Sequence, residues 1–308
     1  MAKNSSRAGD NGLIRIDDGV AEVELAPDVG GAVASYRWRS STGAIDWFRP
    51  ADPAALANRD AGAMGCFPLV PYSNRIRDGR FTFANRPVAL PITVEDPHHE
   101  HGHGWRRPWT VEEHNAASAI LSYRHAAGSW PWNYEARQHF SLADGELAIR
   151  ISIRNLAQAP MPMGMGLHPY FPSTPLAWLE ARVTGMWEAD AEILPVHHVA
   201  PPEGANPTTG IAVSETSLDT VFTGWSRSAR IIWPEFGRRL DIEAEAPLDR
   251  LVLYTPPGEG YFCAEPVSNM TDAFNHLAEP RVDTGCIVLQ PGEAREATVR
   301  FAPALTAT

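Results

Sequence analysis

The feature that most limits what this chain can fold into is the spacing of its prolines, of which there are 27 in 308 residues. One falls roughly every eleven positions, about the length of a mean helix, and proline is shut out of helix interiors. A helical bundle is therefore excluded. Hydrophobic periodicity supplies the alternative. In ELAIRISIRN, Ile149, Ile151 and Ile153 alternate with Arg150, Ser152 and Arg154, which is the pattern of a half-buried strand. RRLDIEAEAP sets Leu240, Ile242 and Ala244 against Asp241, Glu243 and Glu245, and REATVRFAP turns Ala297, Val299 and Phe301 inward. VAEVELA, VASYRWR, RFTF, AILSYRH, RIIW and RLVLY read as further strands, separated by turn clusters such as APDVGG, DGELA, FGRR and PPGEG. The chain reads as all-β and antiparallel, a single domain over residues 13–305 behind a polar, flexible leader, residues 1–12. Two stretches break the strand rhythm, GAMGCFPLVPYSNRIRDG and EILPVHHVAPPEGANPTTG, and read as long loops of the kind that carry function on a rigid scaffold.

Charge and residue counts remove whole classes of chemistry. With 26 basic and 37 acidic side chains the formal net charge is -11, which gives no broad attraction for nucleic acid or an anionic membrane. No apolar run approaches the roughly 18 residues of a membrane helix, and no signal-peptide core is evident. All but one of the basic residues are arginine. The single lysine, Lys3, lies in the leader, so Schiff-base chemistry and the phosphate-binding P-loop both lack their lysine. Cys66, Cys263 and Cys286 are too few and too scattered for a disulfide framework or a CxxC zinc site, and they fit a reducing, cytoplasmic setting.

Four places could carry chemistry. HHEHGHGW packs His98, His99, His101 and His103 into six positions; an HxH pair on a strand could share a metal ion, although a solvated polar loop is the simpler reading. GLHPYF sets His168 before a proline and two aromatics, either as a satisfied core residue or as an imidazole tuned near neutral pH by a dry site. In YFCAEPVSN, Glu265 is the one charged residue, either hydrogen-bonded to backbone amides or poised as a base. NRIRDGR carries Arg75, Arg77 and Arg80, and alternation would put Arg75 and Arg77 on one face, with ordinary surface charge as the plain account.

Taken in order, PLVPYSNRIRDGRF, the HG of HEHGHGWRRPW, GLHPYF, SLDTVF and the AEP of FCAEPVSN resemble the aldose 1-epimerase (galactose mutarotase-like) family. The likeness runs from about Gly30 to the LQPGE turn at Leu289, with GLHPYF and PYSNRI the specific signals. It implies a large twisted antiparallel β-sandwich, free of cofactor and metal, that interconverts the α and β anomers of a monosaccharide through its open-chain aldehyde. It further implies Glu265 as general base, His168 as general acid, and His101, Arg75 and Asp219 as the groups that hold the sugar. Acid and base are expected on opposite sides of the acetal carbon, with the glutamate ionised and the imidazole able to donate. HGHGW departs from the glycine pair that free-galactose mutarotases often show, which leaves the sugar open. A hexose-6-phosphate 1-epimerase is the near alternative, with Arg77, Arg106 and Arg107 available to grip phosphate. A non-catalytic carbohydrate-binding protein and a metal-dependent cupin-like enzyme are the alternatives of other classes. Glu203 and Glu215 are alternatives to Asp219. A monomer or homodimer, with no nucleic-acid or membrane partner, is expected.

Overall fold

The computed structural model describes residues 12–40, 43–92 and 97–306, so the expected leader, residues 1–12, lies outside the described residues except for Gly12. The alternation is realised as burial: Ile149, Ile151 and Ile153 expose no surface, and neither do Ala297, Val299 and Phe301. Two large sheets account for most strands. One runs, in spatial order, through Ile14–Asp17, Ala21–Ala26, Ala32–Ser40, Cys66–Leu69, Gly166–Pro172, Tyr261–Val267, Arg250–Tyr254, Asp219–Thr223, Gly185–Ala189 and Pro195–Val199, with Gly43–Asp46 paired beside Ala32–Ser40. The other runs through Thr110–His114, Ser118–His125, Tyr134–Ala143, Glu146–Asn155, Ala294–Leu305, Arg238–Ala244, Ser228–Trp233, Trp178–Ala181 and Ile211–Ala212. Neighbouring strands are antiparallel, as in Tyr134 opposite Asn155 and Val252 opposite Glu265. The fold is a β-sandwich.

Between the sheets lies one core, because the residues that point inward from each are apolar at every second position. Leu167, Phe171, Leu251, Leu253, Phe262 and Ala264 of the first sheet join Ile149, Ile151 and Phe301 of the second in a single buried cluster. Phe301 is the hinge of this packing, 4.9 Å and near-perpendicular to Phe48, the edge-to-face geometry that aromatic quadrupoles favour. The outer face of the first sheet is buried as well, but beneath loops. Phe67, Tyr170, Val221, Val252 and Cys263 form a second cluster there with Met64, Met270 and Ala273. A sheet with both faces covered leaves polar residues on the outer face dry as well.

The two stretches read as loops contain strands. Cys66–Leu69 sits near the centre of the first sheet, and Pro195–Val199 closes one of its edges. Proline within a strand removes a ladder hydrogen bond and ordinarily marks an edge or a bulge. Pro68 is tolerated because its strand meets Ala32–Ser40 at a single register position, Val33 opposite Cys66, so few ladder bonds are at stake on that side.

Candidate active site

Register brings the two GLHPYF and CAEP motifs together. Gly166 pairs with Val267 and Tyr170 with Cys263, which sets His168 opposite Glu265 on the outer face of the first sheet. Side chains alternate, so Phe67, His168, Tyr170, Cys263 and Glu265 all project to that face, joined by Val252 and Tyr254 from the next strand and Asp219 from the one beyond. All of them but the fully buried Cys263 floor a cleft of ≈ 200 Å³ that Arg75, Glu100, His101, Asn74 and Trp105 wall. All five residues singled out in the sequence, Glu265, His168, His101, Arg75 and Asp219, therefore line one cleft. Glu203 and Glu215 are exposed and outside it.

His168 and Glu265 are 6% and 2% exposed, and Nε2 of the one stands 3.4 Å from Oε1 of the other. The pair is thus side by side, whereas the sequence reading set acid and base on opposite sides of the reacting carbon. Neither group is a satisfied core residue. His168 Nδ1 and Glu265 Oε2 are buried without a hydrogen-bond partner among the described residues, an arrangement that costs free energy unless water or a ligand completes it. Burial drives the Glu265 carboxyl well above its ordinary value; Asp219 and Glu100 push the same way, and Arg75 only partly offsets them. Burial also drives His168 well below the ordinary imidazole value, aided by His101 and Arg49. The expectation of an imidazole tuned near neutrality is corrected by this: a dry site with cationic neighbours disfavours imidazolium.

The His168 ring is held by stacking. Trp105 stacks on Phe67 at 4.8 Å, His168 lies 4.5 Å from Phe67, and Tyr170 stacks on His168 at 4.7 Å. The Arg49 guanidinium, 3.8 Å above Tyr170, ends the column and donates to the carbonyls of Gly62 and Met64 at 2.7 and 2.9 Å. Four planar groups from four separate segments, Trp105, Phe67, Tyr170 and Arg49, thus support one imidazole plane. Nothing in the sequence marked Arg49 or Phe67 for this.

His101 is held differently, by a clasp with Asn74. The His101 N–H donates to the Asn74 carbonyl at 3.0 Å, and the Asn74 N–H donates to His101 Nδ1 at 3.0 Å. With Nδ1 accepting, a neutral His101 carries its proton on Nε2, which lies 3.4 Å from Glu100 Oε1. Both residues adopt left-handed backbone, φ 63 at Asn74 and φ 58 at His101, a conformation for which Asn and His are better suited than most residues. Gly102, next along, has φ +66, and a Cβ there would meet the Val70 carbonyl oxygen at 2.4 Å, so the loop needs glycine to press this close.

Arg75 lies 3.3 Å from Glu100 and 3.6 Å from Asp219, and bridges the two walls of the cleft. Burial raises the Asp219 carboxyl and Glu100 adds to the effect, while Arg75 opposes it. Glu100 is the residue the sequence reading missed. Its signal was its position inside the HEH tract, one place before His101 and directly across a two-residue strand pairing from Arg75.

The other arginines and histidines lie elsewhere than their spacing suggests. Arg77 does not share a face with Arg75, because the strand ends at Ile76 and a tight turn follows; its side chain is exposed and paired with Asp272 at 3.7 Å. Arg106 lies over the Trp105 ring at 4.2 Å, outside the lining of the cleft. The four clustered histidines neither form a solvated loop nor converge on an ion. His98 and His101 are buried; Nδ1 of His98 accepts from the Asp78 N–H, His99 meets the Tyr72 hydroxyl, and His103 meets the Tyr134 hydroxyl at 2.9 Å. Each ring is committed to a different neighbour.

Similarity to known proteins agrees with this geometry. Over 276 residues, 87% of this chain and 90% of the relative, the sequence is 30% identical to the Escherichia coli K12 protein YphB, described as uncharacterized. A crystal structure of a candidate aldose 1-epimerase from Escherichia coli K12 superposes with a TM-score of 0.85 at 26% identity, covering 95% of this chain and 99% of that one. A galactose mutarotase-like protein from Clostridium acetobutylicum shares the fold with a TM-score of 0.84 at 21% identity, over 96% of this chain and 95% of its own. A family model described as aldose 1-epimerase matches residues 13–302, a span that takes in both sheets and every residue of the cleft, and the chain accordingly belongs to the aldose 1-epimerase family.

Proposed function

We propose that this protein is a mutarotase that interconverts the α and β anomers of an uncharged aldose. The observation that carries the reading is the pair of unsatisfied buried groups, His168 and Glu265, standing 3.4 Å apart on the floor of an open cleft. Ring opening takes a proton from the anomeric hydroxyl and gives one to the ring oxygen. Both oxygens are bonded to the same carbon, so the base and the acid have to be neighbours. In this mechanism Glu265 accepts the hydroxyl proton as the C1 carbonyl forms, the bond from C1 to the ring oxygen breaks, and His168 protonates that oxygen. Rotation about C1–C2 presents the other carbonyl face, and the same steps in reverse close the ring. The Nε2–H of His101, the Arg75 guanidinium and the Asp219 carboxylate are placed to hold the sugar hydroxyls.

An uncharged sugar is favoured over a hexose phosphate by the charges of the cleft. Glu100, Asp219 and Glu265 face it, and Arg75 is already shared between the first two. Two of the arginines considered for phosphate turn elsewhere, Arg77 to Asp272 and Arg106 to Trp105. A phosphate would meet carboxylates.

Polarimetry on freshly dissolved α-D-glucose and α-D-galactose tests the activity directly, with acceleration of the optical-rotation decay expected for at least one of them. Thermal unfolding with the free sugar beside its 6-phosphate tests the substrate class: protection by the free sugar alone is expected, and protection by glucose 6-phosphate alone would reverse the assignment. Arg75→Met should act mainly on binding. The loss of charged hydrogen bonds to hydroxyls is worth about 1.5–3 kcal/mol, so KM should rise roughly ten- to a hundredfold with a smaller change in kcat, read from progress curves across sugar concentrations.

A further inference from the structure

We propose that the floor of the cleft is also a binding site for one divalent cation of the zinc class, held by Cys263, His168 and Glu265, and that a bound ion blocks turnover. The blocking part rests on the mutarotase reading; the binding part does not.

Three kinds of donor meet here. One ligand atom each from His168, Cys263 and Glu265 lie within 4.8 Å of one another, and all three residues are buried. Strand register is the cause, since Cys263 and Glu265 are two apart on one strand and share a face, with His168 opposite Glu265 on the next. In tetrahedral zinc sites with metal–nitrogen and metal–oxygen bonds near 2.1 Å, adjacent ligand atoms sit about 3.4 Å apart. The separation between His168 Nε2 and Glu265 Oε1 is 3.4 Å. The Cys263 sulfur lies within 4.8 Å of a ligand atom on each of the two, and a bound ion would draw it inward to close the third edge.

The surroundings favour a cation. His168 Nδ1 and Glu265 Oε2, the atoms turned away from the pair, lack partners among the described residues, so no further hydrogen bond holds either side chain off an ion bound at Nε2 and Oε1. Glu100 and Asp219 add negative charge to the same cleft, on a chain whose formal net charge is -11. The ion has an entry path, because His168 and Glu265 line the open cleft. A thiol, an imidazole and a single carboxylate suit zinc and its borderline-soft neighbours, whereas magnesium and calcium require oxygen-rich shells. On ligation the Cys263 thiol and the Glu265 carboxyl each give a proton to solvent, and the thiolate, the carboxylate and the neutral imidazole bind the metal; no electron is transferred. Three protein ligands leave a fourth position facing the cleft, open to water or to a sugar hydroxyl. The ion thereby occupies the two side chains that must exchange protons with the sugar, so it competes with turnover.

Binding and rate are measured separately. The metal-free wild-type protein and Cys263→Ser are titrated with Zn²⁺ against a chromophoric chelator, and with Co²⁺ while the absorption spectrum is recorded. One equivalent per chain, a thiolate-to-cobalt charge-transfer band in the wild type, and loss of that band with at least tenfold weaker binding in Cys263→Ser are expected. Polarimetry should then show Zn²⁺ inhibition of the wild type that added sugar relieves, whereas Cys263→Ser, referred to its own metal-free rate, resists the ion. Should the serine variant fold poorly, Cys263→Ala serves in its place. Absence of stoichiometric binding, a cobalt spectrum without the thiolate band, or equal affinity in the cysteine variant overturns the site. Binding without inhibition of an active enzyme overturns the blockade. If no sugar is turned over, the chelator and cobalt results still decide the site, so a failure of the mutarotase reading is told apart from a failure of this one.

Discussion

Glu265→Gln is expected to lower kcat by about 10² to 10⁴, the range a positioned acid–base group contributes, while sugar binding stays close to wild type. The amide keeps the shape of the carboxyl and loses its ability to accept the anomeric proton. Polarimetric initial rates at saturating sugar, beside a thermal-shift measurement of sugar affinity, separate the two quantities. Retention of more than about a tenth of the wild-type rate removes Glu265 from the base role. The same variant carries a stability signature. Glu265 has its carboxyl raised well above the ordinary 4.5 by burial, so the folded state prefers it protonated. A raised group contributes stability that is fully present below its unfolded pKa and lost as pH rises. From the ordinary carboxylate value upward, the wild type should therefore lose stability that Glu265→Gln keeps. Melting temperatures compared across that window should move in favour of the inactive variant as pH increases.

His168→Gln is expected to cost a similar factor in kcat, and its linkage has the opposite sign. Burial lowers the folded-state imidazole well below its ordinary 6.5, so the contribution of His168 is present above that value and lost as pH falls. The glutamine variant should be spared this acid-side loss. The two groups touch, so they titrate as a pair, and the competent form is the one that holds a single proton between them. In the free protein the directions of both shifts leave that proton on Glu265, so turnover requires it to pass to His168, across the 3.4 Å between Oε1 and Nε2, before Glu265 accepts the anomeric proton. The wild-type profile of kcat/KM against pH should be bell-shaped, rising as the pair sheds a second proton and falling as it loses the last. Either single substitution should abolish one limb. A profile flat in the wild type, or unchanged in both variants, would sink the proton-sharing account.

The strand pattern was open to reading without coordinates because alternation is a local property. The 149–153 run buries its three isoleucines wherever its partner strands come from, and proline frequency excludes long helices irrespective of topology. GLHPYF, CAEP and NRI likewise named His168, Glu265 and Arg75 from the residues themselves, and all three line the cleft. The stretch around Cys66–Leu69 reads as loop because it breaks the alternation, yet it forms a central strand, and Pro68 is accommodated there by the sparse pairing with Ala32–Ser40.

What the amino-acid sequence determined by itself is therefore the β-sandwich class and the residue types available for proton transfer, since both follow from spacing of a few positions along one segment. Tertiary structure decided the rest. That His168 and Glu265 are neighbours depends on cross-strand register between segments far apart in the chain. The split between Arg75, in the cleft, and Arg77, on Asp272, depends on a turn that ends the strand after two residues. Glu100 joins the site because a short pairing sets it against Arg75, and the direction of each titration shift follows from burial beneath loops that cover the outer face of the sheet. Burial and long-range register are sums over distant segments, so no local pattern encodes them.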